Sequence, residues 1–172
     1  MAQAKKRPDM HTVSVYVANK PGVLVRCAQV FARRGYNIDS LVVSPSVDPR
    51  YSRMTITAIG DPQTLEQIIK QTAKLVDVLH CVEHTGVDSI DREYALVKVK
   101  SPSASTLQDL KKLILSHAHT HILDEGEGVV IIGQMGTTDE LDSLEEELKK
   151  KFHIVEMVRS GKLVMAKGSE PT

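Results

Sequence analysis

Shifting the sequence by 76 residues lays Gly60 on Gly136, Leu65 on Leu141, Ile68 on Leu144, Val78 on Ile154 and Leu79 on Val155. Glycine and apolar positions that coincide over such a span imply two copies of one unit in tandem, and 172 residues leave room for two small domains. The fold must therefore be one that the residues of either copy can build.

In the first copy, Val13, Val15 and Val17 alternate with Ser14, Tyr16 and Ala18, the period of a half-buried strand. From Leu24 the apolar positions Leu24, Cys27/Ala28 and Phe31 take helical spacing, so a helix begins at or just after Gly22. Gly35, preceded by Arg33 and Arg34, stands where a helix C-cap is expected. A strand over Ile38–Ser44 stops at Pro45, and a loop containing Asp48-Pro49-Arg50 leads to an alternating strand over Ser52–Ile59. Asp61 then caps a helix with Pro62 at its first position and Leu65, Ile68, Ile69 and Thr72 inward, and Leu75–Val82 is a final strand.

The second copy repeats the order. It has a strand over Tyr94–Lys100, a helix marked by Leu107, Leu110 and Ile114, a strand over His119–Leu123, a turn at Glu125–Gly128 and a strand over Val129–Gly133. Thr137 and Glu140 have the spacing of a capping box before Leu141, Leu144 and Leu148; a strand over Phe152–Val158 follows, and Gly161 turns into a short strand over Lys162–Met165. The class predicted is α+β, with two tandem ferredoxin-like βαββαβ domains. The expected divisions are a disordered tail at 1–11, a first domain at 12–85, a linker at 86–91, a second domain at 92–166 and a tail at 167–172.

The copies differ at the start of their first helix. Asn19-Lys20-Pro21-Gly22-Val23-Leu24 combines a proline that fixes φ with a glycine that lets another molecule approach the backbone. The first amides of a helix lack intrahelical partners and sit at the positive end of its dipole, so this end accepts an anion. One glycine followed by Val-Leu is unlike a nucleotide-phosphate loop and suits a small carboxylate with an apolar tail, with Asn19 offering an amide. On the turn alone, a helix start capped by Asn19 and water remains an alternative. The second copy has Ser101-Pro102-Ser103-Ala104-Ser105 there, without glycine, so one ligand turn per chain is expected, in the first domain.

Composition narrows the rest. Lys and Arg number 22, as do Asp and Glu, a balance that argues against a general nucleic-acid or anionic-membrane footprint. No apolar run is long enough to span a bilayer, and the polar start, Met1–Met10 with Lys5, Lys6 and Arg7, is no secretory signal. Cys27 and Cys81 show no metal or redox spacing and read as reduced core thiols of a cytosolic protein. An RNA-recognition motif would place aromatics on Ser52–Ile59, which has none. Arg26, Arg33, Arg53 and Asp39 offer charges for an acid–base site, without a recognisable nucleophile–base pair. His117, His119 and His121 would share a face if strand-bound and are the candidate metal ligands, unless the series straddles a helix end.

Asn19–Leu24, Arg34–Leu41, Ser52–Ile56, Leu75–Val78 and Arg159-Ser160-Gly161 together resemble the small regulatory subunit of acetolactate synthase, also called acetohydroxyacid synthase. The turn by itself would indicate only an ACT domain, a βαββαβ amino-acid sensor. The resemblance implies a non-catalytic cytoplasmic homodimer whose N-terminal ACT domains pair side by side and bind valine, in some members isoleucine or leucine, at their interface. It implies a site of Asn19, Pro21, Gly22, Val23 and Leu24 in which the Gly22, Val23 and Leu24 amides meet the carboxylate and Asn19 lies near the polar end, closed by Asn37 and Ile38 of the partner. The family's subunit activates the catalytic large subunit and makes it sensitive to feedback inhibition, which the C-terminal half transmits. Thiamine diphosphate, Mg and FAD are expected only in that catalytic partner, with no cofactor in this chain. Lys20-Pro21 and the histidine series depart from some relatives. Arg33, Arg34 and Tyr36, at a helix end, are the expected contacts with the catalytic subunit. The alternative is a stand-alone ACT-domain sensor acting on another enzyme or regulator.

Overall fold

The computed structural model describes residues 10–84, 89–101 and 103–168. The order is β1 (Met10–Ala18), α1 (Val23–Arg33), β2 (Ile38–Pro45), β3 (Tyr51–Ile59), α2 (Pro62–Thr72) and β4 (Val78–Glu83). The second copy follows with β5 (Ser89–Lys100), α3 (Ala104–Ser116), β6 (Thr120–Gly126), β7 (Val129–Gly136), α4 (Thr138–Lys151), β8 (Ile154–Arg159) and β9 (Leu163–Ala166). Each copy forms an antiparallel sheet, in the order β2-β3-β1-β4 in the first and β6-β7-β5-β8 in the second, with β9 paired to β5. The expected α+β fold of tandem βαββαβ copies is the one observed.

Two compact units result, one of 10–84, 89–91 and 161–168, the other of 92–101 and 103–160. In the N-terminal unit Val13, Val15 and Val17 of β1 lie beside Met54 and Ile56 of β3 and are covered by Val23, Cys27 and Phe31 of α1 and Leu65 and Ile68 of α2. In the C-terminal unit Val97, Val99, Val130 and Ile132 meet Leu110 and Ile114 of α3 and Leu144 and Leu148 of α4. Burying each such side chain contributes about 1.5–3 kcal/mol, and alternation on strands with three-to-four spacing on helices fixes which face is buried.

Several boundaries move. The buried stripe of α1 begins at Val23, leaving Leu24 39% and Val25 58% exposed. β4 starts at Val78, because Leu75 and Val78 amides are taken up by a turn to Thr72 and Leu75 carbonyls. β5 starts at Ser89, so 89–91 of the expected linker are strand, and 86–88 lie outside the described residues, as do 1–9 of the expected disordered tail, whose last residues, Met10 and His11, are instead the start of β1 paired with Ile59 and Ala58. β6 runs to Gly126, narrowing the hairpin turn to Glu127 and Gly128, both with positive φ. The segment from Gly161 groups with the N-terminal unit instead of the second domain. Gly60 and Gly136, one repeat apart, sit where a side chain presses on the backbone: an added Cβ would lie 2.6 Å from the Tyr36 ring at one and 2.7 Å from Glu140 Oε2 at the other.

Candidate binding site

The turn between β1 and α1 is built around Gly22, whose φ of 81° is open to glycine and strained for most residues. Gly22 is the N-cap of α1, and no side chain caps this helix. Elsewhere a side chain does: Asp61 accepts from the Thr64 amide at 2.8 Å, Ser103 from Thr106 at 3.2 Å, and Thr137 from Glu140 at 3.3 Å in a complete capping box. Asn19 is engaged otherwise. Its Nδ2 donates to the Pro49 carbonyl at 3.0 Å and its amide to the Arg50 carbonyl at 2.8 Å, and its side chain does not cap α1.

The loop that receives Asn19 is held locally. Arg50 clamps Asp48 through Nε and Nη2, at 3.0 and 2.6 Å, and lies 5.6 Å over the Tyr51 ring, itself 5.4 Å from Tyr16. That clamp holds the Asp48 carboxyl below its ordinary range and the Arg50 guanidinium above its own. Opposite, Arg26 and Lys20 both approach Asp77, whose carbonyl accepts from the Ala18 amide. Two cations against one carboxylate leave a local excess of positive charge next to uncapped helix amides. Beneath, burial pushes the Cys27 thiol up, outweighing the pull of Arg26, while Cys81 is pushed up to about 12 by burial, so neither is a nucleophile. Lys20 and Arg26 make this helix start cationic, and Leu24 and Val25 supply exposed apolar surface beside the amides.

Asn37 is exposed and Ile38 is half-buried against the core. Ile38 pairs with Ala58 and Ala18 with Tyr51, so the two ends of the expected site lie seven β3 residues apart, about 23 Å at 3.3 Å per residue. One chain does not bring them together. β2 is an edge strand, however, and its Pro45 end is the end nearer the turn, since Pro45 pairs with Ser52.

Other expectations change. Arg33 and Arg34 are exposed, but Tyr36 is buried in the core with its hydroxyl donating to the Asp61 carbonyl, so it is withdrawn as a contact residue. Arg53 donates to Ser14 Oγ and to the Val164 carbonyl on the sheet face away from the helices, remote in the fold from Arg26 on α1. The histidines do not converge. His117 caps α3 with Nδ1 3.0 Å from the Leu113 carbonyl and Nε2 3.6 Å from Glu147, His119 occupies a left-handed turn at φ 56°, and His121 Nε2 lies 3.2 Å from the Tyr94 hydroxyl. Among the described residues no group of three or more His, Cys, Asp or Glu can hold a metal ion, and no helix is long and apolar enough to cross a membrane.

The fold and the open helix start define a tandem ferredoxin-like protein with an N-terminal ACT domain. Residues 13–80 match the AHAS small subunit-like ACT domain, and residues 92–168 match the small subunit of acetolactate synthase. The acetolactate synthase small subunit of Haemophilus influenzae is 39% identical over 158 residues, covering 92% of this chain and 96% of that protein. The probable acetolactate synthase small subunit of Methanothermobacter thermautotrophicus is 37% identical over 162 residues, 94% of this chain and 95% of that protein. The crystal structure of the small subunit from Thermotoga maritima superposes with a TM-score of 0.80 at 34% identity, covering 94% of this chain and 99% of that one. The chain belongs to the acetolactate synthase small-subunit family.

Proposed function

We propose that this chain is the non-catalytic regulatory subunit of an acetolactate synthase, acting in branched-chain amino-acid synthesis as a cytoplasmic homodimer. It binds L-valine at the turn, activates the catalytic large subunit and makes it sensitive to feedback inhibition. The observation that carries the reading is the uncapped start of α1: among the four helices of the described residues it alone lacks a side-chain cap and begins at a left-handed glycine. The Val23 amide already donates to the Lys20 carbonyl at 3.4 Å, so a ligand carboxylate meets the Gly22 and Leu24 amides, with the helix dipole in its favour. Leu24 beside it suits a branched aliphatic side chain.

The edge position of β2 supports the dimer. Antiparallel pairing of two β2 edges about a two-fold axis sets the Ile38 end of one chain beside the Pro45 end, and hence the turn, of the other. Asn37 and Ile38 of the partner then close the site over the ammonium and side chain, which a separation of about 23 Å forbids within one chain. The effector works on the catalytic subunit through its differential affinity for two states of the complex, typically about 1–3 kcal/mol of coupling.

Calorimetric titration with L-valine, beside D-valine and L-leucine, tests the site, and reconstitution with the large subunit tests the regulation. Saturable binding selective for L-valine, with activation and valine inhibition of the complex, is expected. Absence of heat from folded protein would overturn the site. Binding without any effect on the large subunit would point to a stand-alone sensor.

A further inference from the structure

The segment after β8 is unused by the site as described, yet it is stitched across the strands that build it. Gly161 is buried at φ 82°, and a Cβ there would lie 2.9 Å from Val42 Cγ2 and 3.3 Å from Ser40 Cβ, both on β2. Backbone conformation and space therefore both demand glycine. Three residues on, the Val164 carbonyl accepts from Arg53 Nη2 of β3 at 2.8 Å, and the same nitrogen donates to Ser14 Oγ of β1 at 3.0 Å. Lys162 reaches Asp91 at 3.7 Å, and β9 pairs with β5. The residues under this strap are small and polar: Ser14, Thr55 and Thr57 are buried, and Ser40 Oγ and Thr57 Oγ1 share a 2.5 Å hydrogen bond. A face that alternation assigns to solvent is thus covered by the chain's own C-terminal segment.

Immediately before the strap the chain is held just as firmly. Arg159 donates to Glu93 at 2.5 Å and to Asp142 at 2.5 Å inside the C-terminal unit. Its guanidinium is about a quarter exposed, at 23%, and the carboxylates at 7% and 12%, so the attachment is shielded from solvent. Ser160 alone separates this anchor from Gly161. A shift of β2 is felt at Gly161, whose close contact with Val42 and Ser40 leaves no room for a side chain.

From this geometry we infer that Gly161–Ala166 is a positioning strap that reads the state of β2, and that Gly161 is the residue through which the effector state leaves the N-terminal unit. The inference rests on the proposed role of β2 as dimer edge and partner wall of the valine site. It assigns activation and inhibition to separable contacts: activation needs the folded subunit, inhibition also needs the strap seated on β2.

The test uses the full chain with Gly161→Ala and, from the other side of the contact, Arg53→Gln, with Leu163→Ser at an exposed strap position as control. In effector-free protein, hydrogen exchange over residues 38–45 is expected to rise about fivefold or more in both variants and to stay unchanged in the control. In complex with the large subunit, both variants are expected to keep activation and L-valine affinity within about twofold while the fraction inhibited at saturating L-valine falls by about half or more. Unchanged exchange at β2 overturns the inference whether or not the wild type binds valine. Full inhibition in both variants also overturns it, as does loss of affinity in step with inhibition, which would make the strap a mere support of the site. A wild type that binds no valine overturns the proposed function instead, and the exchange measurement still decides whether the strap bears on β2.

Discussion

Two helices open at the same place in the repeat, α1 after Gly22 and α3 after Ser103, and they solve the problem of unsatisfied amides in opposite ways. Ser103 takes the extended conformation and its hydroxyl accepts from the Thr106 amide. Gly22 turns left-handed and offers only its carbonyl, which accepts from the Arg26 amide at 3.1 Å, with no side chain for the first amides. The fold tolerates either, because both helices are held by the apolar faces they bury, and a cap adds only about 1 kcal/mol. The difference teaches that a duplicated unit can release one helix start for binding at small cost to stability, provided its neighbours do not fill it. Here the one amide at hand, Asn19, is diverted to the Pro49 carbonyl.

The largest effect expected is that of making the first start resemble the second. Gly22→Asp places a carboxylate where the ligand's belongs, with its Cβ 3.1 Å from Arg26 Nη1. L-valine affinity should fall by about 3–4 kcal/mol, on the order of 10² to 10³-fold. Stability should fall by only about 1–2 kcal/mol, the cost of the left-handed conformation in a residue with a side chain. Calorimetry and thermal melting together check this; retention of tight valine binding would mean that the helix start is not the site. Loss of binding together with the fold would mean only that position 22 is structural.

Next in size is the pair of repeat-related glycines. Gly60→Ala drives a methyl into the buried Tyr36 ring, which has no alternative position in the core, and should cost about 1–3 kcal/mol. Gly136→Ala presses hardest on the end of the Glu140 side chain, which can swing into water, and meets Glu140 Cβ at 3.0 Å and Leu141 Cδ1 at 3.1 Å, which must give by a few tenths of an ångström. The smaller cost expected there is about 0.5–1 kcal/mol, the Glu140 half of the capping box. Denaturant melts that rank the two in reverse would show that the copies are not packed alike at this point. Smaller again, Ser103→Ala should remove about 1 kcal/mol from the C-terminal unit and leave valine affinity unchanged.

What the residues declare locally could be read without the structure. The repeat, the caps at Asp61, Ser103 and Thr137 and the open character of Gly22 depend on residue type within a few positions. What could not be read depends on remote partners. Tyr36 follows a helix end and looks exposed, but it is buried through a hydroxyl contact to Asp61, 25 residues away. The stripe of α1 starts at Val23 instead of Leu24, because the apolar positions fit either phase and only packing against β1 and β3 decides between them. The strap from Gly161 reads as the end of the second domain and belongs to the first unit, a pairing of residues more than a hundred positions apart such as Arg53 and Val164. Asn37 and Ile38 were expected from a partner chain, and the register of β2 and β3 keeps them from the turn within one chain.

The smallest effect separates two caps that look equivalent at neutral pH. α2 is capped by Asp61, an ionisable group, and α3 by Ser103, which does not titrate. The Thr64 amide and then its hydroxyl, both bonded to the carboxylate, hold Asp61 below the ordinary carboxylate value of about 3.9. A folded value below the unfolded one means that the unfolded chain takes up its proton first as pH falls. The stabilisation by this cap is therefore complete above the ordinary value and is lost as pH drops through the lower, folded one. Hydrogen exchange at the first turn of α2 should accelerate as pH falls below the ordinary carboxylate value, relative to the intrinsic rates, while the first turn of α3 stays protected to the same extent. Asp61→Asn keeps an acceptor oxygen without a titrating proton, so it should flatten the acid response of α2 and leave α3 as it was. An α2 start that loosens in acid even in the Asp61→Asn variant would mean that the response comes from the unit as a whole, and the contrast between the two caps would then carry no weight.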